Sequence, residues 1–422
     1  LFIQFGAVEI AIAQKEVAAI VNRTCMPCHN LQDNPGIVFK ELSDLRLRKT
    51  MIEYVLAEGI MPKTHSDFGY SVFHNEVYIS ENEKQQIIDY LNSSDTRNAK
   101  LAYKPDNINA VKNTLAFSVQ VVSKGTGNDN YAVVKIPYQI KHDSSWVTGY
   151  RVKTSSPKDF HHIGIFFLKK DNRNKNLEEG LRNFYYGSKP NKWQEDTLER
   201  LYHLMKLIPN TERFFWDWMI FKTEWQIGAS AFYFPQGSGF FLPKEGAILL
   251  NNIHMRPTAK DKSLTIEIEL FYKKQPPSES KYLYVVDLAN TPGSRLHPPL
   301  KIQAGKKQQH VLSTVLPDDM ELHTVSPHMH FLGKRFLSFA VSPQGDTTNI
   351  IRINNWDPDW MKTYQFQNPL HLVKGSVFYC IGDYDNTSDN PRNPNIPPKD
   401  VGNSMLFREE MLNMIISFTL PD

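Results

Sequence analysis

From Thr114 onward the chain is a succession of short apolar runs broken by proline, glycine and asparagine, and this texture constrains the fold more than any other feature. Ala116-Phe-Ser-Val-Gln-Val-Val, Tyr131-Ala-Val-Val-Lys-Ile, Leu264-Thr-Ile-Glu-Ile-Glu-Leu-Phe and Leu283-Tyr-Val-Val are of strand length. Successive side chains of a strand point to opposite faces, so alternation of this kind marks strands with one buried face. Many such runs with frequent turn residues, including 26 prolines in the chain, predict β-sandwiches. One helical pattern interrupts them: Leu198, Leu201, Met205 and Ile208 share a helical face within 192–208.

Residues 14–100 read differently, as short helices and loops. Lys15 to Val21 is an apolar-periodic run, and Ser80-Glu81-Asn82-Glu83 has the form of a capping box. It opens a helix through Ile87, Ile88 and Leu91, which Asn92-Ser-Ser-Asp95 ends before a polar linker to about Asn109. Gln275-Pro-Pro-Ser-Glu-Ser-Lys281 is the best linker signal in the β region and divides it into 101–278 and 279–422. Each piece is long enough for its own core. The expected fold is therefore multidomain: a small all-α domain, then two all-β sandwich domains.

Charge is nearly balanced, 48 Lys+Arg against 45 Asp+Glu for a net of +3, which gives no electrostatic reason for a nucleic-acid partner or an anionic membrane surface. Hydrophobic residues at 41% and charged residues at 22% argue against wholesale disorder. No run is long and apolar enough for a transmembrane segment. Residues 1–13, LFIQFGAVEIAIA, end in the small-x-small pattern Ala11-Ile12-Ala13 and read as the remnant of an export signal, although the basic start is missing and Glu9 fits poorly. The alternative is a first strand or helix of the mature fold.

Three cysteines exclude a disulfide-stapled scaffold. Cys25-Met26-Pro27-Cys28-His29 is the attachment motif of one covalent haem c: two thiols add to the vinyl groups while the adjacent imidazole ligates iron. This reads 14–100 as a cytochrome c domain. It also supports an exported, periplasmic chain, because covalent haem attachment is extracytoplasmic in most bacteria. A redox Cys-x-x-Cys with an incidental His29 would need a βαβ context that is absent. Met61 in Gly59-Ile-Met-Pro62 is the expected sixth iron ligand, with Met51, His65 and His74 as competitors, Met51 being assigned to the core of a helix. Cys380 stands alone in a strand-like run and reads as a core residue.

Fourteen histidines make any single His pair weak evidence, so type, order and context must be taken together. His161-His162 opens the run Ile163-Gly-Ile-Phe-Phe-Leu, and neighbours on a regular strand face apart, so joint ligation needs a bend or bulge. With His254 at the end of another strand they would make a three-nitrogen site. His328-Met329-His330 sets two imidazoles on one face of a strand. Met411, after Glu409-Glu410, would add a thioether, a set soft enough for Cu(I) and poor for Mg or Ca.

The order His-His, His, His-x-His, Met resembles the copper type II, ascorbate-dependent monooxygenases, the family of the peptidylglycine α-hydroxylating and dopamine β-monooxygenases. The flanks agree: Phe160-His-His-Ile; Trp225-Gln-Ile-Gly through Phe234-Pro-Gln-Gly and Leu242-Pro-Lys; Pro327-His-Met-His-Phe-Leu-Gly-Lys334; and Glu410-Met-Leu-Asn413. Tyr384-Asp-Asn, Asn390-Pro391 and Asn393-Pro-Asn-Ile-Pro-Pro398 resemble its bacterial branch. The likeness covers roughly 300 residues.

The resemblance implies two jelly-roll-like sandwiches facing a solvent-filled cleft, with two copper ions. His161, His162 and His254 would hold an electron-transfer copper; His328, His330 and Met411 would hold the copper that binds O2 and hydroxylates a C–H bond of a small-molecule substrate. The fused haem would take the place of ascorbate, itself reduced by an external donor, a periplasmic cytochrome or a small reductant. The chain departs from the family at Ser326, where the peptidylglycine enzyme has its carboxylate-binding arginine, and at Ile415, where it has a tyrosine. A peptide-glycine substrate is therefore not expected. The aromatic segment 184–234 reads as core, or as a substrate wall or haem-domain docking surface. Rival readings are a non-catalytic haem and copper redox or copper-binding protein, and a different haem–copper enzyme such as a nitrite reductase. The latter would normally carry a Cys-containing copper site, and Cys380 has no paired-histidine context.

Overall fold

A computed structural model of the chain describes residues 14–30, 37–63, 66–94, 98–102, 113–127, 129–169, 184–186, 219–229, 231–235, 237–275, 281–290, 294–403 and 408–421. The expected signal remnant 1–13, the helical pattern at 192–208, His65, most of the polar stretch before Asn109 and positions 276–280 of the 275–281 linker lie outside the described residues.

Four helices open the described chain: α1 (14–24), α2 (Ser43–Arg46), α3 (Lys49–Ala57) and α4 (Glu81–Asn92). Pairs at i,i+4 spacing, Val17/Val21, Ile52/Leu56 and Ile87/Leu91, point into one buried cluster with Leu42 and Leu45. Ser80 caps α4: its hydroxyl accepts from the Glu83 N–H while Glu83 accepts from the Ser80 N–H at 2.9 Å, an arrangement worth about 1 kcal/mol. Residues 66–78 leave this cluster and lie on the C-terminal sheets, where Phe73 is buried in the distant core and Asp67 pairs with Arg352 at 2.6 Å. No helix among the described residues is long and apolar enough to cross a membrane.

Strands β1 (Thr114–Ser123), β2 (Asn130–Thr154), β3 (Phe160–Lys169), β4 (Phe184–Tyr186), β5 (Met219–Gln226), β6 (Phe232–Tyr233), β7 (Phe240–Met255) and β8 (Lys262–Lys273) form one eight-stranded antiparallel sheet in the order β1-β8-β2-β7-β3-β5, with β4 and β6 also on β2. Side chains from both edges of this path, Val121 and Ile266 at one end and Ile165 and Phe221 at the other, meet in one buried cluster, so the sheet curls around its core. The long strand β2 makes this curling workable, since its first half pairs with β7 and its second half with β8.

The remaining strands are β9 (Tyr284–Asp287), β10 (Arg295–His297), β11 (Lys301–Ile302), β12 (Lys307–Val315), β13 (Met320–His328), β14 (Gly333–Val341), β15 (Thr347–Ile353), β16 (Tyr364–Leu372), β17 (Val377–Asp385), β18 (Val401–Gly402) and β19 (Asn413–Thr419). They build a five-stranded sheet, β10-β12-β17-β14-β15, a four-stranded sheet, β16-β13-β19-β9, and a short β11-β18 pair. The two larger sheets enclose one core that includes Cys380, fully buried on β17.

β13 is bulged between Leu322 and Thr324, which leaves the buried His323 with its Nε2 2.9 Å from Thr419 Oγ1 and no partner for Nδ1. Burial, with the nearby Lys281 charge, pushes its imidazole down to about 4. A depressed histidine contributes stability that is present above its unfolded value near 6.5 and is lost as pH falls towards 4. Urea unfolding of wild type and His323→Gln should therefore show the stability difference shifting against wild type by about 2–3 kcal/mol between pH 7 and pH 4. A pH-independent difference would refute this.

Candidate metal centres

His161, His162 and His254 meet at one end of the eight-stranded sheet. β7 runs between β2 and β3 there, pairing His254 with Tyr131 on one side and with His162 on the other. Phe160 lies opposite Met255 and His162 opposite His254, so His161 is the extra residue of a β-bulge. A bulge re-aims a side chain that a regular pleat would send to the opposite face, and it brings both adjacent histidines to His254. The ring centroids of His161 and His254 are 4.4 Å apart, and those of His162 and His254 are 5.2 Å apart. Tyr131 stacks on His254 at 4.3 Å and fixes its plane.

Two carboxylates attend the cluster. Asp129, immediately before β2, sets Oδ1 at 3.6 Å from Nε2 of both His161 and His254. Asp359, in the short helical turn Pro358–Trp360, accepts from His162 Nδ1 through its carbonyl at 3.3 Å and sets its carboxylate 3.7 Å from His254 Nδ1. Burial holds the His162 and His254 imidazoles below the ordinary histidine range, which favours the neutral, metal-ligating form.

The second cluster lies where β13 ends. His328 and His330 stand perpendicular with centroids 5.1 Å apart, while Met329 between them is buried in the core. The β13–β19 register ends with His328 opposite Asn413, and its continuation sets Met411 opposite His330. The buried Glu410 ties these two segments together: its carboxylate accepts from the N–H groups of His330 at 2.8 Å, Met411 at 3.1 Å and Leu332 at 2.6 Å. Burial pushes its carboxyl up to about 8, with the backbone N–H groups acting in the opposite direction. His330 Nδ1 donates to the Glu409 carbonyl at 3.0 Å, the tautomer that leaves the lone pair on Nε2. Tyr384 Oη donates to the Met411 carbonyl at 2.8 Å. His328 Nδ1 is buried with no hydrogen-bond partner, and its imidazole is held far below the histidine range by burial and then by the charges of His330, Lys222 and His162. The last of these puts the first cluster within electrostatic reach of the second.

Cys25, Cys28 and His29 follow α1 directly. The His29 N–H bonds back to the Cys25 carbonyl at 2.9 Å, and its ring Nδ1 donates to the Ile37 carbonyl at 2.9 Å, leaving the lone pair on Nε2. A cavity of about 1250 Å³ opens beside them, with Met61, Ile52 and Leu56 on the helical side and Trp225, Ile227 and Phe234 on the β side; it reaches His161 and Asp359. Met51 lies on α3 as expected but is 41% exposed and lines this cavity rather than the core, and His74 also faces it.

Besides the contacts of residues 66–78, two links between the helical region and the sheets lie toward the first cluster. Cys28 Sγ lies 3.7 Å from the Ile227 carbonyl, and a Cβ built on Gly228 would stand 2.3 Å from that sulfur. Lys63, two residues past Met61, pairs with Asp357 at 2.7 Å, and Arg392 bridges Asp357 and Asp359 at 3.0 and 3.1 Å. Sequence reasoning missed Asp129, Asp359, Gly228 and the clamping role of Glu410; only the last had a signal, an acidic pair just before Met411.

No protein-family model matches the chain, and no curated protein matches it significantly. Among solved structures, allantoicase is similar at 10% identity over 60% of this chain and 77% of its own, with a TM-score of 0.17. PNGF-II is similar at 10% identity over 78% of this chain and 72% of its own, with a TM-score of 0.27. Likenesses at these TM-scores carry no argument about fold or function.

Proposed function

We propose that the chain is an exported copper-dependent monooxygenase that hydroxylates a C–H bond of a small organic substrate with O2, its electrons delivered through a covalent haem c in a cytochrome c domain at 14–100. What supports this reading is that five histidines far apart in sequence lie as two clusters, one of three imidazoles and one of two imidazoles beside the segment that carries Met411.

The residues fit the groups. Buried nitrogens without partners at His254 and His328 are what unloaded metal ligands look like, and a thioether beside two imidazoles suits Cu(I). Cys25, Cys28, the Nε2 lone pair of His29 and the partly apolar cavity between them and Met61 suit a haem. Bound there, copper would supply one-electron redox and O2 activation, and haem a one-electron store. The chain's own residues do the rest. Glu410 holds His330 and Met411 in register, and burial keeps the His328 and His162 rings neutral. Ser326 is bonded to Thr363 at 2.8 Å, and Lys222, beside His328, is paired with Glu224 at 3.0 Å. Neither is arranged to take a substrate carboxylate. The path from Cys28 to His162 is short: Cys28 touches Ile227, the next residue is Gln226, and Gln226 pairs with His162 across β5 and β3.

Metal analysis should find about two coppers per chain in wild type and one in His328→Ala, with O2 consumption falling more than about 100-fold in the variant, since even outer-shell partners of a metal cost 10–100-fold. In stopped flow, the reduced haem should be reoxidised by O2 in the copper-loaded wild type. Oxidation no faster than in His328→Ala would overturn the oxygenase reading and leave a tethered redox protein.

A further inference from the structure

We propose that Asp129 is itself a ligand of the first centre, so that this centre is a mixed nitrogen–oxygen site rather than one of imidazoles alone. The inference rests on reading the His161/His162/His254 cluster as a metal site, and it deepens that reading by assigning the centre's chemistry.

The geometry points to a cation between these groups. The Asp129, His161 and His254 ligand atoms all lie within 4.8 Å of one another. Asp129 Oδ1 is 3.6 Å from each Nε2, beyond the normal hydrogen-bond range. Metal bonds of about 2.0–2.2 Å at tetrahedral angles put ligand atoms roughly 3.3–3.6 Å apart, and the two Asp129–histidine spacings of 3.6 Å reach that range. The buried Oδ1 of Asp129 and Nε2 of His254 both lack a hydrogen-bond partner. His254 is 2% exposed and lies between two carboxylates, with Nδ1 toward Asp359 and Nε2 toward Asp129. A metal-ligating histidine commonly turns its other ring N–H to a carboxylate, and Asp359 occupies that place. With the proton on Nδ1, the Nε2 lone pair faces a carboxylate oxygen, an arrangement that a cation between them makes favourable.

The carboxylate is also held in position. It stands in the loop between β1 and β2, where the Asn130 side chain bonds the Lys124 backbone in both directions, at 3.1 and 3.0 Å. The Gly127 N–H donates to the Thr258 carbonyl at 3.0 Å, and Lys124 pairs with Asp261 at 2.9 Å. The loop thus returns the chain into β2 with Asp129 at the end of β7.

An anionic oxygen ligand is hard and prefers the divalent ion, whereas the thioether of the second centre prefers the cuprous one. Asp129 would therefore hold Cu(II) selectively and set the first centre at a lower potential than three imidazoles would.

The test uses the full-length protein in a His328→Ala background, so that only the first centre takes copper, titrated with Cu(II) and, by chelator competition, with Cu(I). Asp129→Asn keeps shape and removes charge, and Asp129→Ser serves as a second variant if the first folds poorly. Cu(II) affinity should fall at least tenfold and Cu(I) affinity less than threefold, with a changed Cu(II) electron paramagnetic resonance spectrum. Each tenfold differential corresponds to about 59 mV of potential. Unchanged Cu(II) affinity and spectrum in both variants would overturn the assignment while leaving the metal-site reading intact. No copper bound by the parent background would overturn both.

Discussion

Replacing Glu410 by alanine is expected to cost about 3–5 kcal/mol of stability and to abolish the copper binding proposed for the second cluster. The carboxylate is completely buried and accepts from the N–H groups of His330, Leu332 and Met411. Alanine would strand those donors away from water, at about 1–3 kcal/mol for each group left unsatisfied. It would also unlink the two segments that carry His330 and Met411, so the imidazole and the thioether would no longer be held to one position. Glu410→Gln separates the two effects. It preserves volume and one carbonyl acceptor but turns an amide N–H toward backbone donors, so its stability loss should be nearer 1–3 kcal/mol with copper affinity reduced rather than lost. Urea unfolding and copper stoichiometry measure both variants. A Glu410→Ala protein within 1 kcal/mol of wild type that still takes two coppers would show that β13 and β19 hold the ligands unaided.

What was legible in the sequence follows from how local each determinant is. The runs at 116–122 and 264–271 pair as β1 and β8, with Val119 opposite Ile266, because alternating burial is written residue by residue along a strand. The Ser80 capping box is equally local, since both hydrogen bonds close within three residues. Sequence reasoning could require a bulge at His161-His162 but could not locate it, because a register shift is a property of the strand pair. Its place in a helical run assigns Met51 to the core; the apolar stripe of α3 passes through Ile52 and Leu56, and one residue of offset turns the side chain outward. Phe73 sits in a segment that reads as part of the helical region yet is buried among the C-terminal sheets, a contact no window of local sequence contains. Asp129 stands in Gly125-Thr-Gly-Asn-Asp-Asn130, where an aspartate reads as an ordinary turn former. Its alignment with His254 arises only when β2 and β7 pair. Asp359 is hidden likewise: it belongs to a short turn of the C-terminal region and acts on histidines of the preceding one.

Gly228→Val is expected to slow electron transfer from reduced haem to the first centre several-fold, with haem and copper contents measured alongside. Gly228 holds a φ of +81°, where a β-branched residue is strained, and its missing side chain is what lets Cys28 approach the end of β5. A Cβ there would meet the Cys28 sulfur at 2.3 Å with the Pro27 carbonyl close behind, so the helical region must retreat by an ångström or more. No proposed metal or haem ligand is substituted, and the anchors of this region on the C-terminal part, Lys63–Asp357, Asp67–Arg352 and the buried Phe73, are left in place. Electron transfer by tunnelling falls several-fold for each ångström added to the gap. Stopped-flow oxidation of pre-reduced haem by the copper-loaded protein measures the step, and Gly228→Ala, with less bulk and less strain, should fall between the extremes. The comparison discriminates because these anchors persist: if proximity alone sufficed, a connected haem would keep a high effective concentration and Gly228→Val would transfer electrons as fast as wild type. That result would mean that the Cys28–Ile227 contact is packing only, and that the first centre receives its electrons from elsewhere.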